Sequence, residues 1–124
     1  MSQPRILFVE DDTFLASIYA QKLEAQGMTV VLATNGEDGL KNIEKQLPHL
    51  MVLDLMMPRM DGFRVLEQLN EKKLIKDIPV LVFSNLSQKE DIERCLALGA
   101  SAYLIKAHTL PHEFVNKVKE LLNS

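Results

Sequence analysis

Polar side chains close several short apolar runs in this chain: Glu10, Asp11 and Asp12 follow residues 6–9, Asp54 follows 50–53, Ser84 follows 80–83 and Lys106 follows 102–105. Brought into one pocket, the carboxylates repel, and each holds its proton more tightly unless a cation neutralises them. A hard divalent metal is the natural remedy. Ligation by a few carboxylate oxygens suits Mg²⁺ (or Mn²⁺), which keeps several waters and leaves room for a phosphate oxygen. An ammonium facing a metal-bound carboxylate, as Lys106 would, balances the oxygens of a transferred phosphoryl group. The Ser84 hydroxyl can bond another such oxygen. Each residue also has a plainer reading. A lone lysine is usually solvated, a serine often caps a turn, and Asp12 is read as the N-cap of the first helix, where a carboxylate meets free amides.

The pocket exists only if the chain brings these run ends together. Strand-like runs at 6–9, 29–33, 50–53, 80–83 and 102–105 alternate with amphipathic stretches, a pattern that argues for βα units around a parallel sheet. The runs are mostly apolar rather than alternating, as expected where helices cover both faces. Helical spacing recurs in Leu15, Ile18, Tyr19 and Leu23; in Leu40, Ile43 and Leu47; in Phe63, Leu66 and Leu69; in Ile92, Cys95 and Leu96; and in Leu110, Phe114, Val118, Leu121 and Leu122. Capping boxes are predicted at Ser87/Glu90 and Thr34/Glu37, an N-cap at Asp61, and left-handed C-terminal residues at Gly27 and Gly99. Right-handed crossovers leave two closures open, a barrel fragment or an open sheet. The commoner is the open, doubly wound α/β sheet of flavodoxin-like order 2-1-3-4-5. In that order strands one and three are neighbours, so the acidic run and Asp54 meet at the topological switch point, where such sheets bind ligands.

Bulk properties narrow the function. A chain of 124 residues, 47% hydrophobic and 25% charged, reads as one globular domain over residues 1–124. A net charge of −3 with no basic stripe argues against direct nucleic-acid binding. One cysteine, Cys95, excludes an intramolecular disulfide and a cysteine-based zinc site and fits a reducing compartment; it is expected to be half-buried packing. The apolar run after Arg5 stops at Glu10, too short for a signal-peptide core, and no run reaches membrane-spanning length, so the expected location is the cytoplasm. His49, His108 and His112 lack ligand spacing and are expected to be exposed.

From residue 5 to residue 122 the sequence resembles the receiver domain of two-component response regulators. The matching stretches are Ile-Leu-Phe-Val-Glu-Asp-Asp at 6–12, Asp-Leu-Met-Met-Pro-Arg-Met-Asp-Gly at 54–62, Pro-Val-Leu-Val-Phe-Ser at 79–84, Leu-Gly-Ala at 98–100 and Tyr-Leu-Ile-Lys at 103–106. The resemblance implies that Asp54 is the phosphoacceptor, Asp11 a direct metal ligand, Glu10 a ligand through water and Met56 a ligand through its backbone carbonyl. It implies that Ser84 and Tyr103 form a switch pair and that Lys106 holds a phosphoryl oxygen. The implied reaction is in-line transfer from a phosphohistidine of a sensor histidine kinase or histidine phosphotransfer protein, giving an acyl phosphate. The chain is then a phosphoacceptor that assists its own transfer, not an enzyme in the usual sense. Its output is a partner protein, not identified by the sequence, or phosphorylation-dependent homodimerisation through helix four, strand five and helix five.

Two departures from the family pattern stand on the far side of the pocket. Ala107 follows Lys106 where proline with a cis bond is usual. A cis bond before a non-proline residue costs roughly 2.5–4 kcal/mol, which favours trans unless the metal site imposes strain. Asn85 replaces a small residue and is a candidate to contact phosphate or water. Met56 and Leu86 are apolar where an acid or amide could orient a hydrolytic water, which predicts slow self-dephosphorylation. Other readings are a flavin or nucleotide binder of the same fold, an aspartyl-nucleophile phosphatase and a fragment of a larger regulator. No G-x-G-x-x-G turn follows strand one, and Met56 stands where the phosphatase would need a second carboxylate. The closing helix runs to the last residues, which leaves the fragment reading open.

Overall fold

The computed structural model describes residues 3–123. Five strands, β1 (Arg5–Val9), β2 (Thr29–Ala33), β3 (Leu50–Leu53), β4 (Val80–Ser84) and β5 (Ala102–Ile105), alternate with α1 (Thr13–Glu24), α2 (Gly36–Lys45), α3 (Gly62–Glu71), α4 (Lys89–Ala97) and α5 (Pro111–Leu122). All neighbouring strands pair in parallel, in the order β2-β1-β3-β4-β5. The expected strands thus form in the expected order. Because strand side chains point alternately to opposite faces, Leu7, Val9, Met51, Leu53, Val80 and Val82 pack on one face with Val65, Leu66, Leu69 and Cys95. Ile6, Phe8, Leu50, Val52, Leu81 and Phe83 pack on the other with Tyr19, Leu23, Phe114 and Val118. Phe114 is the hub of that second layer, its ring centroid 4.7 Å from Phe83 and 4.9 Å from Tyr19.

Helix ends explain where the periodic pattern overreaches. Asn35, not Thr34, caps α2: its Oδ1 accepts from the Asp38 amide at 2.9 Å, and its Nδ2 donates to the Asp38 carboxylate at 3.0 Å. Asparagine is the stronger capping residue of the two. Helix α2 stops at Lys45, and Leu47, half exposed, lies outside it; Pro48 disfavours helical backbone at the residue before it. The Ser87/Glu90 box does not form, because α4 begins at Lys89 behind Gln88, which makes no side-chain cap bond. Residues 84–86 are held instead by bonds across the strand ends, described below, and the helix opens later. Leu110 precedes α5 as an exposed N-cap residue, its amide donating to Glu113 Oε1 at 2.7 Å, so the buried stripe starts at Phe114. Ile18 and Leu96 also face solvent. Cys95 is fully buried rather than half-buried, and that burial, with Asp91 nearby, pushes its thiol up to about 11. Gly27 (φ 88°) and Gly99 (φ 109°) end α1 and α4 in the left-handed conformation, as expected.

Candidate functional site

Register brings the acidic residues together. Val9 pairs with Leu53, so Glu10 and Asp54 leave neighbouring strands side by side, and the Asp54 amide donates to the Val9 carbonyl at 3.1 Å. Both carboxylates are buried, whereas Asp11 is exposed at the rim. One oxygen from each of Glu10, Asp11 and Asp54 lies within 4.8 Å of the others. Asp12 and Asp61 stand apart as N-caps, accepting from the Leu15 and Arg64 amides at 3.0 Å each.

Lys106 starts a single 3₁₀ turn, Lys106–His108, directly after β5. Its ammonium donates to Asp54 Oδ2 at 3.2 Å and to Glu10 Oε1, and lies 5.8 Å from the Phe83 ring centroid. Glu10 Oε2 accepts from the Asp12 amide at 3.2 Å. Burial raises Glu10 most; the Lys106 bond opposes this, the Asp54 charge adds to it, and the group titrates near 7. For Lys106 burial disfavours the ammonium, but the Glu10 bond and the two carboxylate charges outweigh it and hold the group above its ordinary value. A lysine so enclosed is fixed by charge.

Asp54 Oδ1 accepts from its own neighbours' amides, Leu55 at 2.7 Å and Met56 at 3.4 Å. The Met56 side chain is exposed on the rim. The loop after Asp54 folds back closely enough for the Gly62 amide to donate to the Leu55 carbonyl at 3.1 Å; a Cβ at Gly62 would lie 2.4 Å from the Asp54 carbonyl oxygen. Glycine is therefore required by approach, not by dihedral angle. Farther along, Arg59 takes a positive φ of 69° and its guanidinium pairs with Glu37 at 2.7 Å, tying the loop to α2.

Ser84 is fully buried, and its Oγ accepts from the Leu86 amide at 3.3 Å. The Tyr103 hydroxyl donates to the Leu86 carbonyl at 2.6 Å while its ring packs on the Leu7–Val9 face of the sheet. Burial, more than the nearby acidic groups, pushes that phenol up to about 12. Ser84 and Tyr103 thus grip the two sides of one peptide segment. The Lys106–Ala107 bond is trans. Asn85 is exposed, and its Oδ1 accepts from the Ala107 amide at 2.9 Å. Sequence reading missed that bond and the Arg59–Glu37 pair. The signal for the first lay in the two unusual residues, Asn85 and Ala107, taken together. His49, His108 and His112 are exposed, and His49 Nδ1 accepts from the Arg5 amide at 2.8 Å at the opposite ends of the strands.

A hard cation fits this donor set. Among the described residues, three carboxylates converge without nitrogen or sulfur ligands, two of them buried, and Lys106 offsets their charge. The sheet order, the acidic switch point and the lysine at the end of β5 together give a receiver-type fold with a charged pocket at the strand ends. The family model for the response regulator receiver domain matches residues 6–119, and the chain belongs to that family. Among curated relatives it is 36% identical over 118 residues to the alkaline phosphatase synthesis transcriptional regulatory protein PhoP of Bacillus subtilis, a match covering 95% of this chain and 48% of the relative. The chain spans about half the length of the curated relatives it matches. The receiver domain of Francisella response regulator 1452 superposes with a TM-score of 0.90 at 28% identity, covering 98% of each chain. A CheY-like receiver domain protein from Methanospirillum hungatei gives 0.90 at 30% identity, covering 98% of this chain and 95% of that one.

Proposed function

We propose that Asp54 accepts a phosphoryl group from the phosphohistidine of a sensor histidine kinase or histidine phosphotransfer protein. The supporting observation is the setting of its carboxylate: buried between Glu10 and Lys106, at the mouth of β1 and β3. An Asp54 oxygen attacks phosphorus, the P–N bond breaks, and its electron pair returns to the imidazole nitrogen. The product is an acyl phosphate. Lys106 moves from pairing carboxylates to holding a phosphoryl oxygen, and the Ser84 hydroxyl turns from the Leu86 amide to a second one. Glu10, Asp11, Asp54 and the Met56 carbonyl would hold Mg²⁺, which when bound neutralises charge on the transferred oxygens. Release of Leu86 by Ser84 then lets Tyr103 and the start of α4 reset, altering the α4–β5–α5 face read by a partner protein or a second copy.

In this reading residues 1–124 work as one receiver unit that is consumed and regenerated rather than acting as an enzyme. Its partners are proteins in the cytoplasm, not nucleic acid or membrane. The net charge of −3 supports this, and among the described residues no helix is long and apolar enough to cross a membrane. Incubation with Mg²⁺ and acetyl phosphate should add the mass of one phosphoryl group to the wild type and none to Asp54→Ala. Beryllofluoride should shift the amide NMR signals of residues 84–86 and 103 in the wild type. Unchanged mass and spectra in the wild type would defeat the reading.

A further inference from the structure

Asn85 and Ala107 are joined across two loops, and among the described residues no other hydrogen bond links residues 85–88 to residues 106–110. Ser84 and Ile105 form the last paired position of β4 and β5, and the next residues, Asn85 and Lys106, lie beyond the ladder. At that point the Asn85 side chain supplies an acceptor for the Ala107 N–H, 2.9 Å away, and extends the strand pairing by one rung. The bond requires both residues: a proline at 107 has no N–H to donate, and a small residue at 85 has no acceptor to offer.

We propose that Asn85 is a positioning residue for phosphoryl transfer, holding the backbone after Lys106 against the backbone after Ser84 so that ammonium and hydroxyl face the pocket at fixed separation. The proposal rests on the assignment of Asp54 as phosphoacceptor. Other bonds of the Lys106 turn are local. Thr109 Oγ1 donates to the Ile105 carbonyl at 2.7 Å, and the Thr109 amide to the Lys106 carbonyl at 3.3 Å; neither ties the turn to β4. The Lys106 ammonium is held by Glu10 and Asp54, the very carboxylates that a bound cation would occupy. Were a cation to take those oxygens, the Asn85–Ala107 bond would still tie the turn to the end of β4, one step beyond the last rung at Ser84 and Ile105. The two unusual residues complement each other.

The test is a double-mutant cycle read by acetyl phosphate phosphorylation in saturating Mg²⁺, using wild type, Asn85→Ala, Ala107→Pro and the double variant. Losing one neutral hydrogen bond should slow phosphorylation of Asn85→Ala by about 2- to 10-fold. In the Ala107→Pro background, where no N–H remains, the same substitution should change the rate by less than a factor of about 1.5, within the scatter of independent effects. Hydrogen exchange at the Ala107 amide should speed up in Asn85→Ala while α5 amides keep their protection. An unchanged rate in Asn85→Ala overturns the proposal, and so does equal slowing in both backgrounds, since Asn85 would then act without the Ala107 amide. No acyl phosphate in the wild type would instead overturn the assignment of Asp54, and the positioning role with it.

Discussion

Replacing Lys106 by Met keeps the length of the side chain and removes its charge, leaving Glu10 and Asp54 facing each other in a buried site. Removing one partner from a buried ion pair costs about 3–5 kcal/mol, because the other charge stays desolvated and uncompensated. The Lys106 side chain is 14% exposed, so water reaches the vacated space and moderates the penalty; a loss of about 2–4 kcal/mol is expected. With an unfolding entropy of about 2.1 cal/mol/K per residue, a loss of ~3 kcal/mol lowers the midpoint of a 124-residue domain by about 12 °C. The assay is urea and thermal unfolding followed by circular dichroism at pH 8, in EDTA and in Mg²⁺. Magnesium should restore most of the lost stability, since it supplies the positive charge the variant lacks. At 100 times its dissociation constant a ligand specific to the native state adds about 2.7 kcal/mol. Magnesium should also bind Lys106→Met more tightly than the wild type, where the ammonium competes for the same oxygens. A variant as stable as the wild type in EDTA, or one indifferent to Mg²⁺, would show that the lysine is not what neutralises this pocket.

The remaining predictions concern the pocket rim and the core. Met56 presents an exposed apolar side chain beside Asp54, so Met56→Asn should supply a group able to orient water and speed decay of the acyl phosphate by about 10-fold, less than the roughly 100-fold or more of a group that also takes the proton; equal decay rates by phosphate release would refute it. Cys95 is fully buried, and its thiol is raised to about 11, so a thiol reagent at pH 8 should leave the native protein unmodified and label it in urea. The folded state keeps the Cys95 proton that the unfolded chain loses from about pH 9. Stability should therefore fall as pH rises from about 9 to about 11, by about 2–3 kcal/mol more in the wild type than in Cys95→Ala.

What could be read from the sequence, and what could not, follows from the range of the forces involved. The strands at 29–33, 50–53 and 102–105 form over the expected residues; the central one is apolar and buried throughout, as a parallel strand covered on both faces must be, and Asp54 marks its end. Their ends then fix the pocket: once β1 and β3 are neighbours, Glu10 and Asp54 have nowhere else to be. Helix ends were less legible, since Thr34 and Asn35 both carry capping side chains and a gain of about 1 kcal/mol decides between them. Least legible were bonds between exposed residues on different loops. Asn85 and Ala107 are 22 residues apart, and their bond exists only because β4 and β5 end side by side. No periodicity or propensity encodes that contact. Yet the departures it depends on were visible as residues that broke a pattern. Two unexplained substitutions at the ends of neighbouring strands are better examined as a pair than singly, because a donor gained on one loop and an acceptor gained on the other have meaning only together.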